Sequence, residues 1–181
     1  MLPEPIQAGR PGPQVPSLSR MPETKPQNRD FIRVGKSRIE GTGVFAKRRI
    51  PRGTRIIEYT GEHVLINELY RVVEAGSQSH TYALALNDTT AIDGSRNGND
   101  ARFFNHSCDP NCEPYIFDGC AYIYAMRDIL RGEELTFDYQ LGPVDMTARV
   151  RYNKAKYRCS CGAANCRGTL INRRRHNKAS V

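Results

Sequence analysis

Cys159, Cys161 and Cys166 stand in a C-x-C-x4-C arrangement, which supplies three of the four thiolates that a closed structural zinc site needs. A fourth ligand has to come from elsewhere in the chain, whose other cysteines are Cys108, Cys112 and Cys120. Six cysteines also invite a disulfide reading, but the tight spacing and the lack of an apolar leader segment argue against it. Two further runs carry groups able to bind or orient a ligand. Asn105-His106-Ser107-Cys108 ends on one of the cysteines, and Glu134-Leu135-Thr136-Phe137-Asp138-Tyr139 follows about thirty residues later. Taken singly, His106 reads as a hydrogen-bonded structural histidine and Tyr139 as an ordinary strand tyrosine. The turn Gly41-Thr42-Gly43 is equally weak alone, since glycines there permit positive φ or close packing.

The elements that must position these residues are short. Phe31-Ile32-Arg33-Val34, Val44-Phe45-Ala46 and Arg55-Ile56-Ile57-Glu58-Tyr59 are rich in β-branched and aromatic residues and are separated by Gly and Pro, which predicts strands. From Val64 to Glu74 apolar residues recur at Leu65, Leu69, Val72 and Val73, a helical spacing that predicts one amphipathic helix. Tyr82 to Leu86 returns to alternation. Two apolar runs, 114–117 and 121–126, flank Asp118-Gly119 as in a hairpin, and Leu135 to Tyr139 adds a last strand. Many short strands with one clear helix and no internal repeat give a mixed, β-rich fold class.

In order and spacing, the motif residues together resemble the SET-domain protein lysine methyltransferases that carry a post-SET zinc cluster, over about residues 31 to 171. The resemblance implies several small, short-stranded sheets, few helices and a C-terminal strand threaded under a preceding loop as a pseudoknot, an exception to the rule against threaded chains. It implies S-adenosylmethionine as cofactor, with Glu40, Gly41, Thr42, Gly43, Tyr82, Asn105, His106 and Ser160 at binding positions. It also makes Cys108 the fourth ligand of a structural zinc ion beside Cys159, Cys161 and Cys166. Cys112 and Cys120 are left as small buried hydrophobes. Glu40 and Thr42 depart from the basic or imidazole residues common at their positions in the family.

The same resemblance puts Tyr139 next to the transferred methyl group, with Tyr82 beside the cofactor and Phe137 at the position where the family chooses between phenylalanine and tyrosine. Phenylalanine leaves room for a methylated amine to rotate, which predicts di- or trimethylation. A lysine amine titrates near 10.4, so presenting it neutral at pH 7 costs roughly 4 to 5 kcal/mol. An aromatic channel and a neighbouring sulfonium both disfavour the ammonium, so no strong general base is required. Asp138 and Glu134 read as hydrogen-bonded supports.

Composition bounds the rest. A length of 181 residues suits one domain. Residues 1–30 hold seven of the eleven prolines and few large apolar side chains, and are expected to be a disordered tail. The catalytic domain is placed at 31–145, a basic linker with the post-SET zinc segment at 146–171, and a basic tail at 172–181. Residues 149–181 carry ten Lys or Arg and no acid, which leaves the remainder at 17 basic against 19 acidic, or −2. The mildly acidic body suits a basic, lysine-containing protein substrate such as a histone tail, and the basic C-terminus could meet nucleic acid. No window reaches the length of a membrane span. A soluble monomer is expected, nuclear in a eukaryote, cytoplasmic or a delivered effector in a bacterium. The competing readings are a lysine methyltransferase of a non-histone protein and an inactive SET-fold module that binds nucleic acid or protein. No cysteine precedes Cys108, so no Cys-rich pre-SET module is expected.

Overall fold

The computed structural model describes residues 31–69, 82–141 and 157–171. The expected Pro-rich tail, most of the basic linker and the basic tail lie outside the described residues. Among those described, ten strands form three small sheets: β1 Ile32–Lys36, β2 Thr42–Ala46, β3 Arg55–Tyr59, β4 Glu62–Leu65, β5 Ala83–Ala85, β6 Thr90–Asp93, β7 Asn105–His106, β8 Cys112–Phe117, β9 Cys120–Ala125 and β10 Glu134–Phe137. The sheets run β1-β2-β10-β7, β3-β9-β8 and β4-β6-β5. This is the β-rich arrangement of short-stranded sheets expected of the SET fold. A 3-10 turn, Asp100–Phe103, is capped by Asn99, whose side chain accepts from the Ala101 N–H and donates to the Glu58 carbonyl.

Chemistry explains the local choices. The β8–β9 hairpin closes on Asp118 and Gly119 with φ of 49° and 74°, the paired positive values that a two-residue hairpin turn with the right twist requires. Along β9 every second residue is buried, Ala121, Ile123 and Ala125, which seats this strand on the core. The core gathers Val44, Ile50, Ile56, Ile57, Ile92, Phe104, Ile123, Ile129 and Leu135, all at most 2% exposed. The predicted helix over 64–74 differs in its first turn. Val64 and Leu65 complete β4, paired with Ala91 and Thr90 of β6, and helix begins at residue 66; beyond residue 69 the expected helix lies outside the described residues. The helical spacing misled because Leu65 is 52% exposed: it belongs to no buried stripe.

β10 changes partners along its length. Glu134 and Leu135 pair antiparallel with Phe45 and Val44, whereas Thr136 and Phe137 pair parallel with Asn105 and His106. Asn111 spans the gap between partners: its amide donates to the Glu134 carbonyl at 2.8 Å and accepts from the Thr136 N–H at 2.9 Å. A buried side chain thus stands in for a strand. Asn111→Ala would leave two main-chain groups of β10 without partners, at a cost of about 2 to 6 kcal/mol from two penalties of about 1 to 3 each. Chemical denaturation of wild type and variant checks this, and a loss under 1 kcal/mol would contradict it.

Candidate active site and metal centre

The parallel step between β7 and β10 brings the two motif runs into contact. Asn105 lies beside Thr136 and His106 beside Phe137, and the Ser107 N–H donates to the Phe137 carbonyl at 3.2 Å. Two residues beyond Phe137, the Tyr139 N–H donates to His106 Nδ1 at 3.1 Å. Because Nδ1 is the acceptor, the ring proton sits on Nε2, which points at Cys108 Sγ 3.4 Å away. Burial, with the Arg167 charge adding to it, pushes His106 down to about 4 against the opposing pull of Asp138. The imidazole is therefore neutral at physiological pH, and the 3.5 Å approach of Asp138 to Nδ1 is not an ion pair.

Tyr139 is walled by aromatic rings. Its centroid is 5.2 Å from Phe137 and 5.4 Å from His106, and Phe137 is 6.2 Å from Phe104. The phenol donates to the Phe104 carbonyl at 2.8 Å. Burial raises its titration well above the ordinary phenol range, with Tyr82, Glu134 and Glu40 adding to the effect. Tyr139 is thus a fixed neutral hydroxyl whose proton is already committed. Tyr82 packs edge-on against Phe103 at 6.0 Å, and its carbonyl receives the Tyr59 hydroxyl at 2.7 Å.

The turn at Gly41 is pinned from below. Asn105 Nδ2 donates to the carbonyls of Glu40 and Thr42, each at 3.1 Å, and to Glu134 Oε1 at 2.8 Å. Ser37 donates to the same carboxylate oxygen at 2.7 Å. Gly43 makes this possible, since a Cβ there would lie 2.3 Å from Glu134 Oε1. Gly41 has φ +40°, and nothing lies within 4 Å of where its Cβ would be. It is an open notch in a rigid turn. Glu40 and Thr42 present their side chains outward and are tied in through their carbonyls. The amide donors of Asn105 and both ring nitrogens of His106 are occupied within the protein.

Cys108, Cys159, Cys161 and Cys166 form the second feature, with sulfurs all within 4.8 Å of one another. Cys108 and Cys159 are 3.8 Å apart, and tetrahedral zinc with Zn–S near 2.3 Å separates its sulfurs by about 3.8 Å. Each sulfur also receives a main-chain N–H: Cys108 from Arg167, Cys159 from Cys161, Cys161 from Cys108 and Cys166 from Gly168, at 3.4 to 3.5 Å. Such donors offset the charge of a four-thiolate set. The set fits zinc. Ser160 is exposed between two members of the cluster, while Cys112 is buried in the core and Cys120 lies on β9, both apart from it. All six thiols are free.

Glu134 and Asp138 are legible in the sequence as supports, but their partners are not. Ser37, the Phe104 carbonyl, Asn111 and Arg167 carry no motif; only the adjacency of Arg167 to Cys166 could have drawn notice.

A family model described as SET domain matches residues 41–140, from β2 through β10. Over 164 residues the chain is 35% identical to the human Histone-lysine N-methyltransferase 2B, covering 87% of this chain and 6% of that protein. It is 39% identical over 151 residues to the Histone-lysine N-methyltransferase, H3 lysine-4 specific, of Chaetomium globosum, covering 77% and 13%. With the Histone-lysine N-methyltransferase Set2 of Drosophila melanogaster it shares 38% over 145 residues, covering 76% and 6%. The chain spans under one seventh of the length of each of these relatives. With that match running through every strand that builds the site, the chain belongs to the SET-domain family.

Proposed function

We propose that this chain is an S-adenosylmethionine-dependent protein lysine N-methyltransferase acting on a histone tail, with di- or trimethyl-lysine as its product. The observation that carries the reading is Tyr139, a partly buried tyrosine whose phenol is held by the Phe104 carbonyl within an aromatic wall. A basic substrate accords with the −2 balance of residues 1–148 and with the histone-lysine activity in the relatives' names. A nuclear setting goes with a histone target. The basic linker around 146–158 is proposed to meet nucleosomal DNA, and the protein to work as a monomer. Among the described residues no helix is long and apolar enough to cross a membrane.

S-adenosylmethionine, when bound, supplies an electrophilic methyl group on a sulfonium. The notch at Gly41 would take its methionine end, because nothing lies within 4 Å of a Cβ placed there and the exposed Glu40 carboxylate beside it suits a cationic ligand. Gly43 and Thr42 belong to the same turn, Asn105 and His106 would offer their backbones, Tyr82 would flank the cofactor, and Ser160 would close over it. Phe137 and Tyr139 strip water from the incoming amine and so favour its neutral form. Tyr139 cannot serve as the base, since its proton is given to Phe104 and burial opposes its loss. Its oxygen lone pairs are free to orient the amine, which makes it a positioning and electrostatic catalytic group. Phe137 places no hydroxyl in the channel, which leaves room for methylated amine to turn. Zinc, held by Cys108, Cys159, Cys161 and Cys166, would supply structure rather than chemistry.

Three outcomes test this. Labelled S-adenosylmethionine with core histones, nucleosomes and whole-cell lysate should give di- or trimethyl-lysine, lowered about 10²-fold or more in Tyr139→Phe by loss of orientation. Label on lysate proteins alone would indicate a non-histone substrate, equal rates on nucleosome and free peptide would remove the DNA contact, and no label from folded, cofactor-binding protein would leave an inactive module. The amine, not Tyr139, should control the pH profile. Because the substrate must lose a proton and the phenol's titration is raised, kcat/KM should climb about tenfold per unit from pH 7 to 9 without falling by pH 10. A bell-shaped profile centred below pH 9 would refute that assignment. Finally, the purified chain should hold one zinc, and a strong chelator should abolish activity, since structural zinc supplies on the order of 10 kcal/mol of folding free energy in small modules. Full activity at zero zinc would refute the metal site.

A further inference from the structure

We infer that Arg167 is a positioning residue for Tyr139, carrying the order of the four-cysteine cluster into the strand end that presents the phenol. The inference deepens the methyltransferase reading and rests on it for its kinetic consequence. Its geometric part stands on contacts alone. The main chain of Arg167 belongs to the cluster, because it follows Cys166 and its N–H donates to Cys108 Sγ at 3.5 Å. Its side chain leaves the cluster and grips Asp138, the residue before Tyr139, with Nη1 to Oδ2 at 2.7 Å and Nη2 to Oδ1 at 2.6 Å. The guanidinium also donates from Nε to the Thr169 carbonyl at 3.0 Å and from Nη2 to the Leu170 carbonyl at 3.4 Å, which fixes its plane.

Asp138 passes this order on. Its Oδ1 accepts from the Gln140 N–H at 3.0 Å, closing a turn around Tyr139. Gln140 has φ 47°, a left-handed conformation that a residue with a side chain adopts only when its surroundings hold it there. On the other side the Tyr139 N–H is held by His106, whose Nε2 faces Cys108. Tyr139 is thus clamped between two arms that both start at the cluster, one through His106 and one through Arg167. Only a planar fork with several donors can make the second arm. Lysine would keep the charge and lose the geometry.

The test compares the 181-residue wild type, Arg167→Ala, Arg167→Lys, Asp138→Asn and the Arg167→Ala/Asp138→Asn double variant, all purified in the presence of zinc. Zinc content, amide exchange with and without cofactor, kcat, and KM for S-adenosylmethionine are measured. The expected result is one zinc per chain and unchanged exchange in β9, with the Tyr139 and Gln140 amides exchanging about tenfold or more faster in each single variant. In the same variants kcat falls about tenfold or more while KM moves less, because a displaced orienting group costs chemistry more than binding. The lysine variant resembles the alanine variant, and the double variant is no worse than the more affected single, as for partners in one interaction. Wild-type exchange at Tyr139 and Gln140 in zinc-loaded Arg167→Ala overturns the inference. Loss of zinc along with activity also overturns it, since Arg167 would then serve only the metal. Should Arg167→Ala not fold, Asp138→Asn decides by the same criteria. The expected exchange pattern in a wild type that methylates nothing would sink the methyltransferase reading and leave the positioning role standing.

Discussion

The parallel pairing of β7 with β10 is the contact on which the site depends. It spans only Asn105–Thr136 and His106–Phe137, yet it closes a loop of about thirty residues and sets every later distance. Ordering a loop of that length costs entropy that two ladder pairs do not offset alone, since fixing each residue's backbone already costs about 1 to 2 kcal/mol. Burial of the surrounding chain makes up the difference: Leu135, Phe104 and Val44 are at most 1% exposed around the junction, and Asn111 satisfies the backbone where β10 changes partners. Once the pairing exists, Asn105 can reach the 40–42 turn, Tyr139 can reach His106, and Cys108 is delivered to the other three cysteines.

The polar groups around this junction are spoken for, and among the described residues no buried side-chain nitrogen or oxygen lacks a partner. That shapes the chemistry. Asn105 spends its donors on the turn and Glu134, His106 its two nitrogens on Tyr139 and Cys108, and Tyr139 its proton on Phe104. No strong base is exposed in the aromatic wall, which suits a reaction whose proton is lost through desolvation of the nucleophile. The same saturation makes the site stiff, so that groups within it act by where they are held and little by proton exchange.

How much of this is legible in the chain varies by element. The β8–β9 hairpin is written locally, because Asp118-Gly119 tolerates the positive φ values and the flanking runs alternate. β1, β2 and β3 are likewise readable from β-branched content. The region after Val64 is not, since the apolar spacing there mimics a helix while β6, whose own signal is only four residues long, recruits Glu62–Leu65 as its partner. β7 is two residues long and offers no period at all. Spacing named three thiolates and stopped; Cys108 as the fourth came through the family resemblance, and its position beside the others follows from β7.

What the sequence by itself determined is the chemical inventory and its local settings: three closely spaced thiolates, glycines where a turn needs positive φ, an aromatic strand end and an uneven charge. These depend on residue identity and near neighbours, which the order of residues records directly. The tertiary structure alone decided which of those groups meet. It tied Asn105 to Glu40 and Thr42 across more than sixty residues, made His106 a neutral acceptor for Tyr139, and carried Arg167 from the cysteine cluster to Asp138. Such contacts arise where long loops close on a shared core, and the free energy that closes them is spread over many buried side chains and belongs to no motif.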